Sequence, residues 1–195
     1  MKRLFDIVFS MLMLILLSPF FLLISILILG DSRGGIFFGQ TRVGLNGKHF
    51  LLHKFRTMKP ESEGAGQLTV GARDSRITRI GYHLRKYKVD ELPQLWNVFV
   101  GEMSMVGPRP EVPRYVRLYN AEQQKVLLVK PGITDYASLR FFTENELLAR
   151  AEDPERVYIE EIMPAKLALN LKYIEEMNFA TDIRIIVATV ARMFS

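Results

Sequence analysis

From Ile7 to Leu29 the chain runs for about 23 residues without a charged side chain, and Ser18-Pro19 stands near the middle of that run. A stretch of roughly 20 apolar residues is long enough to cross a bilayer as a helix. Proline removes a backbone donor and clashes with the preceding turn, so the run is expected to break or kink at Pro19. The carbonyl freed there needs a partner in an apolar setting, and the Ser18 hydroxyl is placed to supply one. Lys2 and Arg3 precede the run, and Arg33, Arg42, Lys48, Lys54 and Arg56 follow it. Basic residues on both flanks fit two cytoplasmic ends. Residues 1–30 are therefore expected to form a re-entrant helix-break-helix that enters and leaves the membrane by one face. Two other readings compete. A plain transmembrane helix satisfies the hydropathy alone. A signal peptide shares the basic start, but this run is long and no Ala-x-Ala cleavage site directly follows Leu29.

Residues 31–195 are expected to form one cytoplasmic domain, mainly α with a small β-hairpin (α+β), with amphipathic helices at the membrane interface. Ile36 to Phe55 reads as a hairpin turning at Gly44-Leu45-Asn46-Gly47, since Asn-Gly is a strong turn signal. Pro60 to Gly71 reads as a surface loop. Ile77 to Lys88 has helical spacing, with Ile77, Ile80 and Leu84 on one face. A short helix is expected to begin at Asp90 and end at Gly101. Pro108-Arg109-Pro110 is a rigid turn. Glu111 to Val129 reads as a helix stopped by Lys130-Pro131-Gly132, and Thr143 with Glu146 suggests a capping box. Near the C-terminus, Ile183, Ile186, Val187, Val190, Ala191 and Phe194 share a helical face, either in the core or in the membrane interface. No internal repeat is evident.

The chain has no cysteine, which excludes disulfides and thiolate metal sites, and of its three histidines, His49 and His53 are four apart but lie in the expected hairpin, so they form no helical metal-ligand pair. A net charge of +5 points to anionic partners. The sharpest local signal is Asp90-Glu91-Leu92-Pro93-Gln94. One reading is helix capping, with Asp90 at the N-cap and Glu91 in the first turn. The other is chemical. A helix N-terminus favours an ionised carboxylate, making Asp90 available as a nucleophile, and Glu91 could hold Mg2+ together with substrate phosphates. Lys54, Arg56, Arg85 and Arg109 are candidate phosphate ligands. Rigid flanks pre-order Arg109 for bidentate binding. Carboxylates, cations and a hard metal together suit phosphoryl transfer.

These residues carry a resemblance. The basic start with its break at Ser18-Pro19, QTRVGLNGKHF followed by KFRTM (Lys54 to Met58), VDELPQLWNV (Val89 to Val98), GEMSMVGPRPE (Gly101 to Glu111) and KPGIT (Lys130 to Thr134) occur in the order seen in the bacterial sugar transferases, the small monotopic phosphoglycosyl transferases. The resemblance implies a re-entrant membrane helix and an Asp90-Glu91 catalytic dyad with Mg2+ as cofactor. It implies attack by Asp90 on a UDP-sugar with release of UMP, then transfer of the phosphosugar to polyprenol (undecaprenyl) phosphate. That would be the first membrane step of a glycan assembly pathway, at the cytoplasmic face of the bacterial inner membrane. UDP-sugar, polyprenol phosphate and membrane lipid are the implied partners; a homodimer is allowed, and nucleic acid is not expected. The chain departs from the family pattern at Asp135-Tyr136-Ala137-Ser138, where Gly and Gln are common, and from Arg140 to Glu176. It resembles the minimal catalytic form. Two rival readings are a non-catalytic membrane-anchored basic domain that binds anionic lipid or a protein partner, and a nucleic-acid binder. The first gives Asp90-Glu91 no task. The second lacks any recognition motif, and its basic residues are dispersed.

Overall fold

A computed structural model describes residues 1–59 and 74–193, so the loop expected over residues 60–71 and the side chain of Phe194 lie outside the described residues. The apolar run forms two helices, α1 (Lys2–Leu16) and α2 (Ser18–Asp31), bent by 59°. Among the described residues no single helix is long and apolar enough to cross a membrane, but this bent pair meets that test together. Pro19 lies in the first turn of α2, where its missing N–H costs least. The Ile15 carbonyl, four residues before it, accepts from the Ser18 hydroxyl at 2.8 Å. The break is thus written in two adjacent residues, one opening the ladder and the other satisfying it.

The polar residues of α1 bind the rest of the chain. Lys2 Nζ donates to Asp182 Oδ2 at 2.6 Å, to the Tyr173 hydroxyl at 2.8 Å and to the Val106 carbonyl at 2.9 Å. Arg3 donates to the carbonyls of Val98 and Phe99 at a helix C-terminus, where a cation is favoured. Buried Asp6 accepts from the Ser104 hydroxyl and from the Met105 N–H. The opposite side of α1 (Val8, Leu12, Ile15) and most of α2 (Leu22, Leu23, Ile26, Leu29) expose apolar side chains. An exposed apolar surface of this extent marks an interaction face.

The hairpin forms as expected. Strands β1 (Phe37–Val43) and β2 (His49–Phe55) pair antiparallel from Phe37↔Phe55 to Val43↔His49, turning through Asn46 and Gly47 at positive φ. Helix α3 (Arg79–Lys86) follows, with Thr78 Oγ1 capping the Gly81 N–H. A 3-10 turn (Val89–Glu91) leads into α4 (Gln94–Val100), which ends at left-handed Gly101. Strand β3 (Ser104–Val106) pairs in parallel with β4 (Gly132–Thr134). A Cβ on Gly107 would come within 2.4 Å of the Lys130 carbonyl oxygen, and one on Gly132 within 2.0 Å of the Gly107 nitrogen. Only glycine allows this approach, and it sets the direction of Pro108-Arg109-Pro110.

The remaining helices are α5 (Pro113–Val116), α6 (Tyr136–Arg140), α7 (Glu144–Ala149), α8 (Pro154–Val157), α9 (Met163–Glu176) and α10 (Phe179–Met193). One core joins α5, α7 and α9 through Val112, Tyr115, Leu148, Tyr158 and Leu167. A second joins α1, α4, β3, α9 and α10 through Phe9, Met13, Val98, Met105, Tyr173 and Ile185. A third packs α2 and α3 on the hairpin through Ile24, Ile28, Leu84 and Phe55.

Two expectations are corrected, and one open choice narrows. The helix read over Glu111–Val129 is only α5 and a 3-10 helix at Gln123–Leu128. Asn120 and Gln123 exchange side-chain bonds to each other's backbone N–H, a local closure that competes with a continuous helix. Thr143 stands at the N-cap of α7, but at φ −102°, ψ 29° its side chain makes no capping bond, so the box with Glu146 does not form. Of the two readings of the α10 stripe, the core one fails, because Ile183, Val187 and Val190 are exposed. The buried face of α10 is Thr181, Asp182 and Ile185, drawn inward by the pairing of Asp182 with Lys2 and Tyr173.

Candidate active site

The carboxylates Asp90 and Glu91 are held by their neighbours along the chain. Lys88 adopts a left-handed conformation (φ 54°, ψ 18°), uncommon for a residue with a side chain, and turns the backbone into the 3-10 turn. Buried Asn97, in α4, accepts from the His53 N–H at 3.1 Å and donates to the Leu51 carbonyl at 2.8 Å. Strand β2 is thereby docked on α4, and Lys54 faces Glu91.

The two acids differ in their surroundings. Glu91 is fully engaged. Lys54 Nζ donates to Oε1 at 2.9 Å, and Arg109 donates through Nη1 to Oε2 at 3.1 Å and through Nη2 to Oε1. Burial raises the pKa of Glu91, but Arg109 and Lys54 outweigh it and hold the carboxyl well below its usual range. Burial pushes Lys54 down, and Glu91 opposes that shift. Asp90 is 6% exposed, and its Oδ1 has no hydrogen-bond partner. Burial raises its pKa, with Lys54, Arg85 and Lys88 pulling the other way. Capping therefore does not account for Asp90: it lies inside the turn, and neither it nor Glu91 caps α4.

Both acids line a cavity of about 400 Å³, together with Lys54, Arg85, Lys88 and Arg109. Three of the four cations singled out in the sequence meet there. Arg56 does not line it. It is buried and donates to the carbonyls of Ser32 and Arg33, tying β2 to the exit of α2. Ser18 and Pro19 serve the helix break and are likewise outside the lining.

Several cavity residues escaped the sequence reading. Arg42 donates to Glu111 Oε1 at 3.0 Å and to the Pro110 carbonyl at 3.1 Å, and the Tyr158 hydroxyl donates to Glu111 Oε2. Lys166 pairs with Glu144 at 2.8 Å on the same wall. These come from distant segments, and no local pattern joins them. Asp135 is different. It is fully buried, its Oδ1 caps α6 by accepting from the Ser138 N–H, and its Oδ2 accepts from the Arg109 N–H at 3.1 Å. An Asp before a helix is a legible cap, so its first role could have been read from sequence. The departure at Asp135 thus builds the support of Arg109.

A family model described as bacterial sugar transferase matches residues 1–195. The chain belongs to the bacterial sugar transferase family. Among its relatives, an undecaprenyl-phosphate glucose phosphotransferase of Komagataeibacter xylinus is 38% identical, over 98% of this chain and 35% of its own. A UDP-glucose:undecaprenyl-phosphate glucose-1-phosphate transferase of Escherichia coli (strain K12) is 35% identical, over 100% of this chain and 40% of its own. The exopolysaccharide production protein PSS of Rhizobium leguminosarum bv. phaseoli is 37% identical, over 97% of this chain and 93% of its own. The chain thus spans well under half of the first two family members and nearly all of the third.

The donor set suits a hard cation only in part. Among the described residues no group of three or more His, Cys, Asp or Glu side chains could hold a metal. Two adjoining carboxylates, one with an open oxygen, do fit Mg2+, which is usually held by one or two carboxylates and completed by substrate phosphates and water.

Proposed function

We propose that this protein transfers a phosphosugar from a UDP-sugar to polyprenol phosphate, at the cytoplasmic face of a bacterial membrane. The observation that carries this reading is Asp90: a buried carboxylate with an unpartnered oxygen, beside cations, in a cavity also walled by the apolar helix α1. Several relatives are named for UDP-glucose and undecaprenyl phosphate, so glucose heads the panel of donors to test.

Asp90 Oδ1 attacks the phosphorus that bears the sugar. The P–O bond to the UMP moiety breaks, UMP leaves, and an acyl phosphate joins Asp90 to the sugar phosphate. An oxygen of polyprenol phosphate then attacks the same phosphorus and releases the Asp90 carboxylate, giving polyprenyl diphosphate-sugar. Splitting the displacement in two lets a water-borne donor and a membrane-borne acceptor meet the enzyme in turn. Lys54 and Arg109 supply positive charge for the donor diphosphate. Asp90 and Glu91 would be the residues to hold Mg2+, which would supply charge neutralisation for the donor diphosphate.

The test is mass spectrometry of enzyme incubated with a UDP-sugar and no lipid. The peptide carrying Asp90 should gain one phosphosugar, and Asp90→Asn should abolish both adduct and turnover. Ping-pong kinetics should accompany it. Intersecting lines with no adduct would mean direct transfer in a ternary complex. Separately, UMP release that is unaffected by chelating divalent metal would remove Mg2+ from the scheme.

A further inference from the structure

The cavity that holds Asp90 has a second character. It runs along the seam between two of the three cores. On one side stand Tyr115 and Tyr158; on the other stand Phe9 and Met13 of α1, Leu17 at the bend that follows it, and Ile186 and Val190 of α10. Phe9, Met13 and Leu17 are spaced four residues apart, so they share one face of the helix. That face looks into the cavity, while Val8, Leu12 and Ile15 look outward and are exposed. Ile186 and Val190 have the same spacing on α10. The two helices are pinned at Lys2–Asp182 and by the edge-to-face contact of Phe5 with Phe179. Further along they line the cavity together. Val190 lines it and is also half exposed, so this wall reaches the surface.

Building on the reading of function above, we propose that this wall, between α1 and α10, is the seat of the acceptor's polyprenyl chain. Three observations select an isoprenoid phosphate over a protein helix or a second copy. The apolar wall is continuous with Lys54, Arg85 and Lys88, so an occupant must be apolar along its length and anionic at its inner end. Its α1 side belongs to the bent apolar pair that carries the exposed apolar surface, so the occupant can enter from lipid. The space is about 400 Å³, which suits a small ligand and not a helix. Only the units nearest the phosphate are seated, and the rest of the chain stays in the bilayer. The phosphate then comes to Asp90 from the side of α1. The donor nucleotide is left the opposite end, beside Tyr115, Asn145 and Tyr158.

The experiment uses the full chain in nanodiscs and a polyprenyl phosphate carrying a diazirine on an isoprene unit close to the phosphate. Labelling should fall on peptides from residues 7–17 and 186–193, and unlabelled polyprenyl phosphate should compete it away. Met13→Trp and Ile186→Trp, which fill the wall, should raise KM for polyprenyl phosphate about tenfold, or roughly 1.4 kcal/mol, and raise KM for the UDP-sugar far less. Labelling confined to the outer faces of α1 and α2 would overturn the proposal, as would folded Trp variants that leave the lipid KM unchanged. Labelling at the wall without UMP release from any UDP-sugar would remove the proposed reaction and leave the lipid seat standing. UMP release with labelling elsewhere would do the reverse.

Discussion

Asp90 and Glu91 are adjacent in the chain, but their charges rest on opposite terms. Glu91 is neutralised by Lys54 and Arg109, whereas Asp90 is buried with an oxygen that nothing satisfies. Removing one partner of a buried ion pair leaves the others uncompensated, which typically costs about 3–5 kcal/mol. Glu91→Gln should therefore lower the thermal midpoint in detergent markedly. Asp90→Asn removes a charge that burial disfavours, so its midpoint should equal or exceed that of the parent. Equal losses in the two variants would show that Asp90 is structurally paired. Arg109→Lys keeps a charge but cannot bridge both Glu91 oxygens. Turnover should fall roughly 10–100-fold, matching the loss of a charged hydrogen bond worth about 1.5–3 kcal/mol. Asp135→Ala takes away both the α6 cap and the acceptor for the Arg109 N–H. It should cost about 1–3 kcal/mol in stability and reduce turnover through Arg109, a loss that Asp135→Asn partly restores. The meeting of Asp90, Glu91 and Arg109 in one cavity was legible because short, unusual strings carry them. Arg56 misled because a basic residue near a motif looks alike whether it meets a phosphate or two backbone carbonyls. Arg42, Glu111 and Tyr158 were invisible because their union is purely tertiary.

Among the elements, the bent pair α1–α2 was readable from Pro19 and Ser18, and the hairpin from Asn46-Gly47. Both rest on local backbone chemistry. The helix expected over residues 111–129 failed because apolar spacing there is shared by α5 and a 3-10 helix separated by the Asn120–Gln123 closure. Spacing could not choose between core and interface for the α10 stripe, because that helix's strongest inward pull is polar, from Lys2 and Tyr173. The bent pair also makes a topological prediction. Cysteines placed near residues 2 and 33 should react with an impermeant reagent from the same side of a sealed vesicle. Labelling from opposite sides would refute a re-entrant pair. Pro19→Leu should straighten the break and shift some molecules toward a true span. Asn97→Leu would leave the His53 N–H and the Leu51 carbonyl unpaired at the docking of β2 on α4. A cost of about 1–3 kcal/mol is expected, with turnover falling as Lys54 loses its place beside Glu91.

For the molecule as a whole, four tyrosines set an alkaline limit. Burial raises Tyr115 to about 12, and burial together with nearby carboxylates raises Tyr119, Tyr158 and Tyr173 further above the ordinary 10.0. Above that ordinary value the unfolded chain loses tyrosine protons that the folded chain keeps. The unfolded state then binds fewer protons, so stability falls as pH rises past about 10. Urea midpoints measured between pH 8 and 11 should decline at the upper end, and Tyr158→Phe should flatten the decline. An unchanged slope in that variant would count against the burial of Tyr158 beside Glu111.

The contact between Lys2 and Asp182 also has a meaning in time. Synthesis runs from the N-terminus, so α1 emerges long before the helix that receives its amine. Lys2 then has neither Asp182 nor Tyr173, and Asp6 waits for Ser104 and Met105. Until α10 is made, α1 cannot close against its own domain. The first helix is buckled down by one made more than 160 residues later. A nascent chain stalled before residue 179 should leave a reporter on α1 open to protease, and synthesis through α10 should protect it.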